Sequence, residues 1–362
     1  AWSVMPGGFA RIGERLDARA AMMGDGAFSA DVSIVCERPV APVTLMPSPD
    51  AVVIRRNPGT LPSRVADNLF WLGRYLERAE AILALVRGGL GGSTDVDGGA
   101  ALAPETRTRL ANLLITNGAA AASGGLVALA IAAFDGPAPS SVRTLMRAAR
   151  EIGEGSRDRL SADVWRLLDA PFPQEGSAAT RAAGLHERLA ALSGLSAENM
   201  GRTAGWRFLD LGKRIERGVT VCRAMRVFAS ENATADDLTL LLELTNSQIG
   251  YRQRYPTGIA LVPVRDLVAL DAGNPRSLAF QVEAIVAHLS ALPRLSDDGL
   301  AELQQVEAVA LAATLTTLGG WTLGNDAVHG IEDRLLGLSD AIGRRFFLRG
   351  GAPLRASGMT LA

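Results

Sequence analysis

Residues 61–87, LPSRVADNLFWLGRYLERAEAILALVR, decide the fold of this chain, because their central motif occurs twice. The motif reads LGRYLER at residues 72–78 and LGKRIER at residues 211–217. At about 100° per residue, the apolar side chains of each copy fall on one side of a helix. Each copy therefore predicts an amphipathic helix. The apolar stripes are Val65, Leu69, Leu72, Leu76 and Leu83 in the first copy, and Phe208, Leu211, Ile215, Val219 and Cys222 in the second.

The charged residues of the two motifs take equivalent places around these helices. Glu77 and Glu216 lie on the same flank of the stripe, at the boundary of the core, whereas Arg78 and Arg217 lie nearly opposite it. A carboxylate at a core boundary needs a guanidinium or several hydrogen bonds. The pattern therefore predicts either structural ion pairs between packed helices or part of a polar pocket. Before the first copy, Ser63 is the predicted N-cap.

The two stretches SRVADNLFWLGRYLERAEAI, at residues 63–82, and GWRFLDLGKRIERG, at residues 205–218, resemble the bacterial alpha-E family. That family is an all-helical domain with paired Glu-Arg motifs, and the resemblance covers residues 61–349. It implies a setting beside circularly permuted ATP-grasp proteins, transglutaminase-like proteins and a proteasome-related peptidase. These are the partners that we expect, and the setting implies peptide or amide-bond chemistry by association.

Residues 1–55 differ in character from the rest. The segment VMPGGFARIG, at residues 4–13, resembles the closing strands of a circularly permuted ATP-grasp domain, and a second strand is predicted at residues 31–36. Where that family has a Gly-Gly-Ser-Lys-Asp run, residues 27–31 read AFSAD without the lysine. We interpret residues 1–55 as the C-terminal end of such a domain and a proline-rich linker. ATP and Mg²⁺ are then implied only for a missing upstream region, and no cofactor is expected here.

Composition narrows the function classes. The chain has 362 residues, and its net charge of −1 argues against a nucleic-acid binder. Among 37 basic residues only Lys213 is a lysine, and it falls within a predicted helix. Phosphate loops, Schiff-base enzymes and ATP-grasp clamps need a lysine in a loop or strand. The fragment alone is therefore not expected to be a complete ATP-dependent ligase, and whether it is an enzyme stays open.

Cysteine and histidine usage adds two expectations. Cys36 and Cys222 form no CxxC pair, which fits a reducing cytoplasm. The histidines are isolated in sequence, so no metal site is predicted. Residues 110–134 carry no charge but contain several polar residues, and we interpret them as a buried helix pair and not as a membrane span.

From Ser63 onward the pattern predicts a duplicated antiparallel helical bundle, a mainly α fold with a short N-terminal β-containing segment. Further similarities extend the repeat: Thr-Asn at residues 116–117 and 245–246, and Pro-Ser-Ser-Val and Pro-Arg-Ser-Leu at residues 139–142 and 275–278. The predicted halves are residues 63–200 and 201–349, related by an approximate two-fold axis, with a flexible tail at 350–362. Later helices are predicted at 178–193, 197–229, 235–252, 262–271, 276–291, 297–318 and 322–348.

Two groups of residues are candidates for ligand binding, and no catalytic residue is assigned. The first group combines two carboxylates with guanidiniums that can bind a carboxylate or phosphate, or that simply satisfy each other; a divalent cation is opposed by the arginines. The second group resembles Tyr-Arg-x-x-Tyr and Pro-Arg-Ser segments of the alpha-E family; its alternative interpretation is a basic helix end and a helix start with Asn274 as N-cap. The members are Arg74, Glu77, Arg78, Arg214, Glu216 and Arg217 in the first group, and Tyr251, Arg252, Tyr255, Asn274 and Arg276 in the second.

The resemblance favours a helical substrate- or partner-binding component of an ATP-grasp-linked peptide or amide ligation or modification system. The rival hypothesis is a structural or assembly scaffold without a small-molecule site. Acid/base activity of Glu77 and Glu216 is a third alternative. A binding role predicts that the Glu-Arg pairs line a water-accessible cavity, whereas a scaffold predicts closed, fully paired salt bridges.

Overall fold

The computed structural model describes residues 7–12, 28–33, 35, 61–91, 102–256, 258–294 and 300–347, in two compact units, residues 1–57 and 58–362. In the first unit, strand β1 (Gly7–Ile12) pairs antiparallel with strand β2 (Phe28–Ser33). The prediction placed β2 too late in the chain, because the pairing sets Phe28 opposite Ile12 and so extends the strand toward its N-terminus. Most of the proline-rich linker and the tail lie outside the described residues.

The second unit is helical, which confirms the prediction of a mainly α protein. Its described residues form thirteen α-helices, a short 3₁₀ turn (Arg157–Arg159) and a π-helical turn (Asp266–Leu270). The helices are α1 (Ser63–Gly89), α2 (Pro104–Thr116), α3 (Leu126–Asp135), α4 (Val142–Glu154), α5 (Ala162–Asp169), α6 (Ala178–Glu198), α7 (Ala204–Phe228), α8 (Ala235–Leu244), α9 (Gln248–Arg254), α10 (Leu261–Arg265), α11 (Leu278–Ala291), α12 (Leu303–Thr317) and α13 (Asn325–Phe346).

Helices α1 and α7, which carry the two copies of the motif, pack against each other at the centre of the unit. Helices α4 and α6 pack on α1, and α11 and α13 pack on α7. The predicted apolar stripes face this core, although Val65 and Leu76 are only half-buried. The two motif helices therefore have neighbours on both sides of their mutual contact.

Local sequence signals explain several helix starts. Ser141 and Ser277, from the two similar Pro-x-Ser segments, both accept a hydrogen bond from a backbone N–H in the first turn of the helix that follows. Pro104 takes the first helical position of α2. These caps place α4 beside α1 and α11 beside α7.

Several predicted boundaries are wrong. The predicted break between helices 178–193 and 197–229 comes too early, because α6 continues to Glu198 and α7 begins at Ala204. Ser63 is the first residue of α1 and not its N-cap, and Asn274 is not the N-cap of α11 because Ser277 caps that helix. The predicted helix 235–252 is broken after Leu244, where Asn246 adopts the left-handed conformation, with a φ of 49°.

The uncharged stretch 110–134 is divided between the end of α2 and most of α3, as a helix pair. Within the ranges that the structure describes, no helix combines the length and apolar character needed to cross a membrane.

Candidate functional site: two Glu-Arg clusters and two cavities

The crossing of α1 and α7 depends on one glycine from each motif. A Cβ atom added to Gly73 would lie 2.0 Å from the carbonyl oxygen of Leu209, and one added to Gly212 would lie 1.9 Å from that of Phe70. The two contacts are reciprocal: each glycine meets the carbonyl three residues before the other glycine. The Leu-Gly step of the motif therefore brings two helix backbones into direct contact, and any larger side chain would separate them.

Glu216 forms the first cluster across this crossing. Its carboxylate accepts hydrogen bonds from Arg78 Nε at 2.5 Å and Arg74 Nε at 2.7 Å. A further hydrogen bond joins Arg74 to the Ser339 hydroxyl of α13 at 2.7 Å. We call Glu216, Arg74 and Arg78 the Glu216 cluster. Glu216 is 2% exposed and Arg74 6% exposed, and the Arg78 side chain is 13% exposed, so the cluster is largely buried.

The electrostatics of the Glu216 cluster are those of a closed ion pair. Burial alone would raise the pKa of Glu216, but the positive charges of Arg78 and Arg74 and their hydrogen bonds outweigh burial and lower it to about 2. Burial also lowers the pKa of Arg74, although its guanidinium remains charged at neutral pH. The cluster is therefore a fixed charge network at neutral pH.

Glu77 forms the reciprocal cluster. Its two carboxylate oxygens accept bidentate hydrogen bonds from Arg217, at 2.5 Å and 2.7 Å. Glu80 lies one turn further along α1. Its carboxylate oxygens lie 3.8 Å from the guanidinium of Arg217 and 2.7 Å from the guanidinium of Arg276. We call Glu77, Glu80, Arg217 and Arg276 the Glu77 cluster. Burial would raise the pKa of Glu80, but Arg276 and Arg217 lower it, so both glutamates carry arginine partners.

Both motif arginines were predicted nearly opposite the apolar stripe of their helices, and both are interior in the structure. Arg217 is 6% exposed, and Arg78 is largely buried. The reason is that α1 and α7 are covered on both flanks by other helices, so the position opposite the apolar stripe is also interior. The glutamates, predicted at the core boundary, are buried with the arginines.

One further pair of residues, Arg74 and Lys213, is equivalent in position but differs in its surroundings. Arg74 and Lys213 occupy the same place in the two motifs, and Lys213 Nζ donates to the Ser193 hydroxyl of α6 much as Arg74 donates to Ser339. Arg74 also pairs with Glu216, whereas no carboxylate in the described part of the chain forms an ion pair with Lys213. Burial and the nearby charge of Arg217 lower the pKa of the Lys213 ammonium.

The Glu77 cluster opens onto a small polar cavity of about 90 Å³, which the Glu216 residue does not line. Three glutamates (Glu77, Glu80, Glu243), three arginines (Arg87, Arg217, Arg276) and His186 are among its lining residues. Within the described ranges, the half-buried Arg87 side chain has no ion-pair or hydrogen-bond partner. Burial and the charge of Arg87 lower the pKa of His186, which favours a neutral imidazole at pH 7. We call this space the polar cavity.

A second, larger cavity of about 270 Å³ borders the same two glutamates. Its floor is apolar and includes Leu76, Leu189 and Leu192, and its wall carries Lys213. We call it the leucine cavity. Since Glu77 and Glu80 line both spaces, the polar cavity and the leucine cavity are adjacent.

Arg214, another predicted site residue, belongs to the wall of the leucine cavity. It donates to Asp210 at 2.9 Å and to Gln281 at 3.2 Å, and Asp210 also lies 2.7 Å from His288 Nε2. Burial would raise the pKa of Asp210, but His288 and Arg214 hold it well below its usual range. Arg214 is therefore held by an ion pair of its own and lies outside both Glu-Arg clusters.

Of the second predicted group, which contains Tyr251, Arg252, Tyr255, Asn274 and Arg276, only part lies at the site. Arg276 reaches Glu80, as described above, but Tyr251 and Tyr255 stack on each other, with ring centroids 5.0 Å apart. The Tyr251 hydroxyl accepts from Ala260 N and donates to the Gly258 carbonyl, which fixes the loop after α9. Arg252 is exposed. None of these three residues lines either of the two cavities.

Asn274 has a structural place near the polar cavity. Its side-chain amide donates to Ser247 Oγ at 3.0 Å and to the Leu267 carbonyl at 2.9 Å, and its carbonyl oxygen accepts from Arg276 N. Asn274 thus holds the turn that presents Arg276 to Glu80.

Five charged or titratable residues of the site were not among the predicted ones: Glu80, Arg87, His186, Lys213 and Glu243. Glu80 and Arg87 lie three and ten residues after Glu77, at about 300° and 280° around the helix, and so on the same side of α1 as Glu77. That periodicity was available in the sequence. His186 had no such signal, because only the packing of α6 brings it to α1.

Metal and thiol chemistry have little support at this site. Among the described residues, no group of three or more His, Cys, Asp or Glu side chains could hold a metal ion. Cys222 is buried, and burial raises the pKa of its thiol, so a thiolate nucleophile is disfavoured.

The fold and the clusters define a helical domain built on two crossed helices with reciprocal Glu-Arg pairs. Residues 61–347 match the family model named Alpha-E, described as a predicted alpha-helical domain with a conserved ER motif. Because the match covers most of the chain, this chain belongs to the Alpha-E family.

Curated relatives carry no assigned activity. The chain is similar to an uncharacterized protein of Mycobacterium tuberculosis strain H37Rv, 28% identical over 305 residues, and to one of Mycobacterium bovis, 29% identical over 309 residues. Each match covers 70% of this chain and 34% of the relative, so the chain spans about a third of the length of these relatives. No solved structure matches.

Proposed function

We propose that this Alpha-E domain binds the charged end of an amino acid or peptide in the polar cavity. The domain would act as the helical substrate- or partner-binding component of a peptide or amide ligation or modification system. ATP-grasp, transglutaminase-like and peptidase proteins are the partners that this proposal includes, in the cytoplasm, with ATP and Mg²⁺ used by the ATP-grasp component.

One observation carries the proposal: the polar cavity contains a guanidinium, that of Arg87, with no partner among the described residues. A half-buried unpaired guanidinium is costly unless an anion or water satisfies it, and it suits a carboxylate through two parallel hydrogen bonds. Glu77, Glu80 and Glu243 bring negative charge to the wall of the same cavity, which favours a ligand that also carries an ammonium group. A zwitterion therefore matches the cavity better than a simple anion.

A thermal-shift screen tests this proposal. Glycine, glycylglycine, ATP with Mg²⁺, and Mg²⁺ alone are added to the wild type and to Arg87→Gln. We expect glycylglycine to raise the Tm of the wild type and not that of the variant, since ligand binding stabilises the folded state by mass action. The control is Arg107→Gln, an exposed arginine outside both cavities, which should respond like the wild type. Equal shifts for wild type and Arg87→Gln, or no shift, would overturn the proposal.

A structural scaffold is the second candidate, and the Glu216 cluster favours it. That cluster is closed and lines neither cavity. If the polar cavity binds none of the probes, the function is to be sought at a protein interface.

A further inference from the structure

Lys213 is the only lysine of the chain, and its place in the fold is the reason to look beyond the polar cavity. Its equivalent in the other half, Arg74, is enclosed by a carboxylate and a serine. Lys213 keeps the serine, but in place of the carboxylate it has the leucine cavity. An ammonium group has three donors, and Ser193 takes one. The others are available to a ligand carbonyl or carboxylate.

The leucine cavity has the size and lining of a side-chain pocket. A cavity of about 150 Å³ lined by aliphatic groups holds a benzene molecule, and this one measures about 270 Å³. Leu76, Leu189, Leu192 and Leu209 give it apolar walls. Each of its carboxylates already has a cationic partner: Asp210 has Arg214 and His288, Glu77 has Arg217, and Glu80 has Arg276. An apolar group of leucine size can therefore enter without separating a charge from its partner.

The two cavities are adjacent because Glu77 and Glu80 line both. Among the described residues, three cations of these cavities have no ion-pair partner: Arg87 in the polar cavity, and Lys213 and Arg202 in the leucine cavity. Arg202 lies over the Trp206 ring, 3.9 Å from its centroid, which leaves Arg87 and Lys213 as the two cations considered for a ligand. A ligand that places its charged end beside Arg87 would thus direct a neighbouring side chain toward the leucines, with its carbonyl near Lys213.

We propose that the leucine cavity is the side-chain subsite for the ligand of the polar cavity, with Lys213 donating to the carbonyl of that ligand. The ligand is then an amino acid or short peptide with an apolar residue at its bound end. This inference rests on the proposed function and adds the class of substrate to it.

Calorimetric titration of the 362-residue chain with glycylglycine, glycylleucine and leucylglycine tests the inference. Burial of a leucine side chain predicts that at least one leucine dipeptide binds about tenfold or more tightly than glycylglycine. Ser196→Phe, which fills the leucine cavity, should remove this preference but keep binding of glycylglycine. Ala190→Phe, at an exposed position of the same helix, should keep the preference.

The outcomes separate the two proposals. Equal affinities for the three dipeptides, all lost in Arg87→Gln, would overturn the side-chain subsite and leave the polar cavity as the binding site. No binding of any dipeptide would overturn both. Retention of the leucine preference in Ser196→Phe would place the apolar group elsewhere and so contradict the inference.

Discussion

The Glu216 cluster and the Glu77 cluster carry the same motif into two environments. Glu216 is enclosed by Arg74 and Arg78, and Ser339 completes the network. Glu77 accepts two hydrogen bonds from Arg217, and its side chain lines two cavities. The backbone crossing is the same on both sides, because each glycine meets the carbonyl of the other helix. The two clusters therefore share one helix crossing and differ in that Glu77 lines two cavities whereas Glu216 lines neither.

The difference teaches that a repeated charged motif can have two uses in one fold. A buried carboxylate with two guanidiniums is a network that is costly to break and gains nothing from a ligand. A buried carboxylate at a cavity wall can also form hydrogen bonds with water or with a ligand in the cavity. The predictions below test whether the two sides differ in this way.

Substitution of either crossing glycine should have the largest effect and should not distinguish the sides. Gly73→Ala and Gly212→Ala each place a methyl group about 2 Å from a carbonyl oxygen, so the helices must separate. We expect each to cost at least about 4 kcal/mol of unfolding free energy, measured by urea denaturation. Gly184→Ala, in α6 with nothing near its Cβ position, is the control and should stabilise slightly. A mild, unequal response of the crossing glycines would contradict the reciprocal contact.

The pH dependence of the unfolding free energy should reflect the Glu216 cluster. The folded-state pKa of Glu216 is lowered from 4.5 to about 2, so its contribution is complete above about pH 4.5 and is lost as the pH falls toward 2. The unfolding free energy lost in this way is on the order of 3 kcal/mol. In denaturation experiments at pH 5.5, 4.5 and 3.5, the unfolding free energy of Glu216→Gln should fall less steeply with decreasing pH than that of the wild type. Glu283→Gln, at an exposed position, should decline as the wild type does.

Two single substitutions, Arg74→Lys and Lys213→Arg, should have the smallest effects on the unfolding free energy. Arg74→Lys loses the fork that joins Glu216 to Ser339, with an expected cost of about 1–2 kcal/mol. Lys213→Arg has the leucine cavity beside it and should change stability by less than about 0.5 kcal/mol. Equal costs in thermal or urea denaturation would show that both cations are equally enclosed.

The sequence allowed the central part of this structure to be predicted. The period of the apolar residues predicted helices α1 and α7. The repeated motif predicted ion pairs of Glu77 and Glu216 with arginines as one of two alternatives, and the structure contains these pairs across the crossing. The Alpha-E resemblance was also correct. The expectation of remnant ATP-grasp strands, in contrast, stays a prediction.

The rest depended on tertiary packing, which no local pattern shows. A helical wheel shows one core side, so it could not show that Arg78 and Arg217, nearly opposite the stripe, are also interior; helices packed on both flanks of the motif helices bury them. Lys213 was set aside because it lies in a helix, yet the gap between α6 and α7 gives it a cavity. The difference between the two clusters arises from α6 and α13, whose positions beside α1 and α7 are set by tertiary packing.

The most direct measurement compares the unfolding free energies of Glu216→Gln and Glu77→Gln under one set of conditions at pH 7. Glu216→Gln leaves Arg74 and Arg78 without their buried carboxylate, and we expect a loss of about 4 kcal/mol. Glu77→Gln leaves Arg217 beside Glu80 and a cavity that water can enter, and we expect about 1–2 kcal/mol. Equal losses would contradict the account, because they would mean that the two clusters are equally closed.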